Sequence, residues 1–194
     1  LNPKIRKKVW IHVYGNKKLG SISKGSNLIN SLYPDKRRTL SDLIQEYGLN
    51  IQSTLYRFKS KGFVIQDDSF HLTKIGVWFS ITNQLGITFL ELCALACACC
   101  IQERFALHDR EGFYMLPTFE EIFKKYYSKK HLEIVFVNLR KKFGYKISKK
   151  SLRIYPKIHK KLMDQYGEQF RLLEMWLDDI QERESEIILK AIND

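Results

Sequence analysis

One segment limits the architectures open to this chain more than any other. Phe89-Leu90-Glu91-Leu92-Cys93-Ala94-Leu95-Ala96-Cys97-Ala98-Cys99-Cys100-Ile101 is apolar at nearly every position. A helix that is hydrophobic on all sides needs other elements packed around it, so this one is expected at the centre of the molecule. Its 13 residues are too few to span a bilayer. Extending it back to Phe79 reaches spanning length only by including Asn83, Gln84, Gly86 and Glu91, which lipid penalises. A buried helix is the reading, with no membrane partner. All four cysteines, Cys93, Cys97, Cys99 and Cys100, fall here. Three of them share a helix face, but zinc sites draw on two separated pairs and no histidine is close in sequence. Interleaved with alanines, they read as small core residues, and neither metal nor cofactor is expected. Helix neighbours make poor disulfides, which suits a reducing, cytoplasmic interior. The basic start Asn2–Lys8 is not followed by the apolar run of a signal peptide before Asn16.

Around that helix the chain repeats one helix-start signal, a threonine followed three residues later by an acid. It occurs at Thr39–Asp42, Thr88–Glu91 and Thr118–Glu121. The hydroxyl accepts from a free N–H of the first turn, and the acid favours the positive helix end. The first such helix runs through Leu43, Ile44 and Tyr47 to Gly48; the third through Ile122, Phe123 and Tyr126. A further helix is predicted over Ile51–Lys61, with Asn50 as N-cap and Gly62 ending it. Its apolar positions Ile51, Leu55 and Phe58 share a face. Phe63-Val64-Ile65, the turn Asp67-Asp68-Ser69 and Phe70-His71-Leu72-Thr73 then read as a β-hairpin. Upstream, Ser26–Tyr33 offers a short helix ended by Pro34. At the N-terminal end Val9, Ile11 and Val13 alternate like a strand, while Ile5, Val9 and Val13 fit a helix with Pro3 at its first position; the helix is favoured.

The order helix, helix, helix, hairpin over 24–74 resembles the winged helix-turn-helix superfamily. Ile51, Leu55, Phe58, Gly62, Phe63 and Val64 sit at the spacing that such domains use for the recognition helix and its exit into the wing. Leu72-Thr73-Lys74-Ile75-Gly76 is similar to the Leu-Thr-x-x-Gly ending of many archaeal and bacterial wings. The match covers about 50 residues, the scale of one small domain. A weaker second copy has helices at 89–105, 119–127 and 129–143, the last capped by Ser128. Its hairpin would join Tyr145–Ile147 to Leu152–Tyr155 around Ser148–Ser151, with Pro156 closing the unit. The expected fold is mainly α (α+β), with a winged helix-turn-helix in two tandem copies and a long C-terminal helix. Its divisions fall at 1–80, 81–156 and 157–194.

Residues 157–193 read as one long helix, or two broken at Gly167. Phe170, Leu173, Leu177, Ile180, Glu184, Ile187 and Ala191 alternate spacings of three and four, a heptad seam with one acidic break. The helix either folds back on its own chain or pairs with a second copy in a homodimer through Phe170, Leu173, Leu177, Ile180 and Ile187.

Charge separates these regions. Lys plus Arg outnumber Asp plus Glu by 33 to 21, giving +12, which attracts polyanions. Residues 1–80 carry +9 and 81–167 carry +8, whereas 168–194 carry −5. In a helix-turn-helix the exposed half of the recognition helix meets base edges. The resemblance therefore implies contacts from Asn50, Gln52, Ser53, Tyr56 and Arg57. Gln52 suits adenine, and Arg57 suits guanine or a phosphate. Arg37, Arg38, Thr39 and Ser41 gather at a helix start suited to phosphate; Lys59, Lys61 and Lys74 would add backbone contacts. The acidic Asp67-Asp68 tip would repel phosphate. The second unit is the densest basic patch: Lys129, Lys130, Arg140, Lys141, Lys142, Lys146, Lys149, Lys150 and Arg153. Solvated helix faces are also commonly polar and basic.

Catalytic motifs are weak. Gly15–Ser21 has phosphate-loop glycine spacing, but Ser21 stands where the lysine is required. His131-Leu132-Glu133 lacks the cysteine pair of a deaminase downstream. The expectation is a non-enzymatic, sequence-specific double-stranded DNA-binding protein, archaeal or bacterial, acting in transcription regulation. Alternatives are a plasmid or viral replication initiator and a winged-helix protein–protein interaction module.

Overall fold

The computed structural model describes residues 26–106, 128–145 and 152–193, with Ser26, Phe105, Ala106 and the stretch 180–193 as backbone. Over these residues the chain is mainly helical, with seven helices and two two-stranded antiparallel sheets. The readings for residues 1–25, for the loop 107–117, for the Thr118 cap with its helix over 119–127, and for the second hairpin tip lie outside the described residues. The chain divides into two compact units, Leu1–Phe89 and Leu90–Asp194. The boundary drawn at residue 80 would cut an intact helix, Lys74–Leu85, and the division falls beyond it.

In the first unit, α1 (Ser26–Ser31), α2 (Leu40–Tyr47) and α3 (Ile51–Ser60) precede β1 (Val64–Gln66), β2 (Phe70–Leu72) and α4 (Lys74–Leu85). The capping box at the start of α2 is closed: Thr39 Oγ1 accepts from the Asp42 N–H, and Asp42 accepts from the Thr39 N–H, both at 3.2 Å. Asn50 holds the N-cap position of α3, but in helical backbone geometry and with no side-chain cap bond. At the other end of α3, Gly62 takes φ 76°. The Gly62 N–H donates to the Lys59 carbonyl and the Phe63 N–H to the Phe58 carbonyl. Only glycine adopts this left-handed geometry cheaply, and the pair of bonds satisfies the last carbonyls of the helix. The Phe58 and Phe63 rings then meet edge to face, 5.7 Å apart.

That contact starts the core. Phe63 packs on Phe79 of α4, and Phe79 stacks on Phe89 with centroids 5.0 Å apart. Leu28, Ile29, Leu32, Leu43, Leu55 and Trp78 complete it, all buried. The hairpin pairs Val64 with Leu72, Ile65 with His71 and Gln66 with Phe70, so Phe70 and Leu72 face inward. Arg38, between α1 and α2, extends this sheet by one residue through reciprocal backbone bonds with Phe70.

Thr73 ends the hairpin and begins α4. Its hydroxyl donates to the Gly62 carbonyl at 2.6 Å and accepts from the Gly76 N–H at 3.0 Å. A Cβ on Gly76 would overlap the carbonyl oxygen of Phe63, so the close approach of α4 to the end of α3 requires glycine there.

The second unit holds α5 (Phe89–Ala106, its first residue counted with the first unit), α6 (Lys129–Phe143), β3 (Gly144–Tyr145), β4 (Arg153–Ile154) and α7 (Pro156–Asn193). Leu90 to Cys100 of α5 are all buried. The four thiols are therefore core residues, and burial raises the pKa of each well above that of an ordinary cysteine. The apolar run beginning at Phe79 is not one helix; it breaks at Gly86, φ 64°. No single helix among the described residues is long and apolar enough to cross a membrane.

Ser128 caps α6 through the His131 N–H. Asn138 of α6 donates to Glu91 of α5 at 3.0 Å. The β3–β4 pair is fixed to α5 by Gln102, whose amide bonds both the N–H and the carbonyl of Ile154 at 2.9 Å. Pro156 does not close this unit as a terminator; it is the first residue of α7, where a missing N–H costs nothing. The helix continues through Gly167 without a break. Arg171 pairs with Glu103, and Arg104 with Glu174 at 2.6 Å, holding α7 along α5. Phe170, Leu173 and Leu177 are fully buried in the chain's own fold. A seam with a second copy would have to rely on positions such as Ile180 and Ile187, whose side chains lie outside the described residues.

Candidate nucleic-acid interface

The periodicity of α3 divides its surface. Ile51, Thr54, Leu55 and Phe58 are buried, leaving Gln52, Ser53, Tyr56, Arg57 and Lys59 exposed on the opposite side, with Asn50 at its head. Tyr56 is 76% exposed, a large aromatic ring offered to solvent beside two cations. Gln52, Tyr56 and Lys59 stand at i, i+4 and i+7, so they form one line along the helix. Together with Leu40 of α2 and Gln66 of β1 they line an open cleft of about 240 Å³ whose floor is Leu55 and Phe70. Lys59 reaches across to Gln66, Nζ to Oε1 3.1 Å, fastening the end of α3 to the hairpin.

The cations before α2 are engaged within the protein. Arg38 pairs with Glu46 at 2.6 Å, and that guanidinium holds the Glu46 carboxyl below its usual range. Arg37 Nη1 lies 3.0 Å from Asp67 Oδ2. Asp67 also accepts from the Ser69 N–H, and these bonds, Ser69 first and Arg37 second, hold its carboxyl at about 2. One of the two acids at the hairpin tip is thus compensated by a neighbouring cation. Thr39 and Ser41 remain exposed at the start of α2, although the Thr39 hydroxyl is committed to its cap. Lys61 is half-buried and Lys74 exposed.

In the second unit Lys129, Lys130 and Lys141 of α6 are exposed. Arg153 of β4 is half-buried, its guanidinium 5.8 Å from the ring centroid of Tyr145. Lys146, Lys149 and Lys150 lie outside the described residues. Between its lysines α6 also exposes Ile134 and Val137, so its outer face is less polar than that of α3. Leu40 and Gln66 are cleft residues that pattern reading missed. They come from the elements on either side of α3 in sequence, and neither carries a charge to draw notice.

Among the described residues no group of histidine, cysteine or carboxylate side chains has the arrangement to hold a metal ion. No family model, no curated protein and no solved structure matches the chain.

Proposed function

We propose that the first unit is a winged helix-turn-helix module and that the chain is a sequence-specific double-stranded DNA-binding protein acting in transcription regulation. The observation that carries this reading is the division of α3. One face is locked into the core, and the other presents Gln52, Tyr56, Arg57 and Lys59 to solvent with a hairpin following directly. An α-helix so presented fits the major groove, where glutamine and arginine make paired bonds to adenine and guanine. The single-residue bridge from Arg38 to Phe70 supports it further, because it anchors the hairpin to the segment between α1 and α2. The second unit repeats the order of a capped helix followed by a hairpin in α6, β3 and β4, which supports a second winged helix bearing phosphate contacts.

A protein–protein module is the second reading, favoured by the intramolecular pairing of Arg37 and Arg38 and by the exposure of Leu49 and Ile65. Equilibrium titration of the full chain with a labelled random-sequence duplex separates the two. Nucleic-acid binding predicts association at about 50 mM salt that weakens by about 10³-fold at 200 mM if six phosphates are neutralised. Absence of binding at low salt sinks the DNA reading and leaves the protein module.

A further inference from the structure

Three lysines at the head of α7 form a charged surface that the α3 face does not use. Lys157, Lys160 and Lys161 are exposed and, with Asp164 and Gln165, line an open cleft of about 430 Å³. Their spacing of three and four residues puts three like charges on one side of a helix, an arrangement that disfavours the free protein. Asp164, the acid in the cleft, pairs among the described residues with Lys160, at 3.4 Å and with both side chains largely exposed. Lys157 and Lys161 have no ion-pair partner among the described residues. The acidic half of the same helix does not compensate them. Its first acid, Glu168, lies about 12 Å along the axis from Lys160, beyond one screening length at physiological salt, and the rest of its charge lies farther still.

We propose that this cleft is a second phosphate-backbone contact for nucleic acid, acting alongside α3 and resting on the DNA-binding reading above. Ammonium groups on flexible stems and the Gln165 amide suit phosphodiester oxygens, and they carry no information about base sequence. The −5 charge of residues 168–194 repels the same polymer, so the nucleic acid lies at the head of α7 and away from its tail.

The test is the full chain carrying K157Q, K160Q and K161Q, titrated with duplex over a salt series beside the wild type. The proposal predicts a drop of about 10- to 100-fold in affinity at low salt and a salt slope shallower by about 2 to 3. The loss should be equal for all sequences, with melting temperature unchanged or raised by the removal of like charges. The single variant K157E should lose affinity in the same direction. Wild-type binding with an unaltered slope in both variants overturns the proposal and leaves the α3 reading intact. Wild-type protein that binds no duplex overturns the reading on which it rests. Lysine-dependent binding to anionic lipid vesicles, with duplex affinity unaltered, overturns it in favour of a membrane surface.

Discussion

Arg37 and Asp67, 30 residues apart, form an ion pair of 3.0 Å that joins the segment before α2 to the tip of the first hairpin. Both side chains are about half exposed, so the pair contributes little to stability and a phosphate oxygen competes for Arg37 at small cost. Replacing Asp67 with asparagine therefore frees a cation and removes a repulsive charge together. D67N should raise duplex affinity at low salt by up to about fivefold for all sequences alike. Unchanged or weaker binding would place Arg37 away from the nucleic acid.

The same carboxylate sets an acid-stability window. The Ser69 N–H, then Arg37, hold Asp67 at about 2, below the value of about 3.9 expected in an unfolded chain. A folded-state value below the unfolded one means that the contribution is fully present above about pH 4 and is lost as pH falls through about 2. Denaturant midpoints measured between pH 5 and pH 2 should fall more steeply for the wild type than for D67N. Parallel profiles would contradict the assignment.

Gly76 makes opposite demands on propensity and packing. Alanine at a helical position is favoured over glycine by about 1 kcal/mol. Here its Cβ would overlap the Phe63 carbonyl, a backbone atom that cannot turn aside. G76A should destabilise the chain by about 1–3 kcal/mol despite the better helix former. Stabilisation in urea titration would mean that α4 and the end of α3 are not in contact.

Gln102 is the corresponding fastening in the second unit. It is 8% exposed and satisfies both backbone polar groups of Ile154, so Q102A would leave a buried N–H and a buried carbonyl unpaired. The expected loss is about 2–4 kcal/mol. Q102E retains an acceptor for the Ile154 N–H but sets a buried carboxylate against the Ile154 carbonyl oxygen, and near neutral pH should be destabilised at least as much as Q102A. A near-neutral Q102A would show that β4 is held by other contacts.

The sequence made local features readable and left distant pairings hidden. The threonine-capped helix start at Thr39, the glycine end of α3 and the hairpin around Asp67 depend on residues a few positions apart, and each is present. Helix α4 escaped because Ile75, Val77, Trp78, Phe79 and Ile81 make it apolar on several sides, erasing the 3.6-residue period. The pairs Arg37–Asp67 and Gln102–Ile154 span 30 and 52 residues, and no local pattern encodes them. The α7 seam was legible as apolar but not in what it packs against; Phe170, Leu173 and Leu177 are covered within the chain itself. At the candidate interface, periodicity sorted the exposed face of α3 from its buried face. It did not reveal that Arg37 and Arg38 are already paired.

Selection of bound sequences from a random duplex pool, run at two salt concentrations with the wild type and with Gln52→Ala, tests groove reading by α3 most directly. The account predicts that the wild type enriches a defined site at both salts. It further predicts that Q52A changes the preferred base at one or two positions, with discrimination there reduced by about 1–3 kcal/mol. Recovery of the same site by both proteins, or of no site by either, would contradict it.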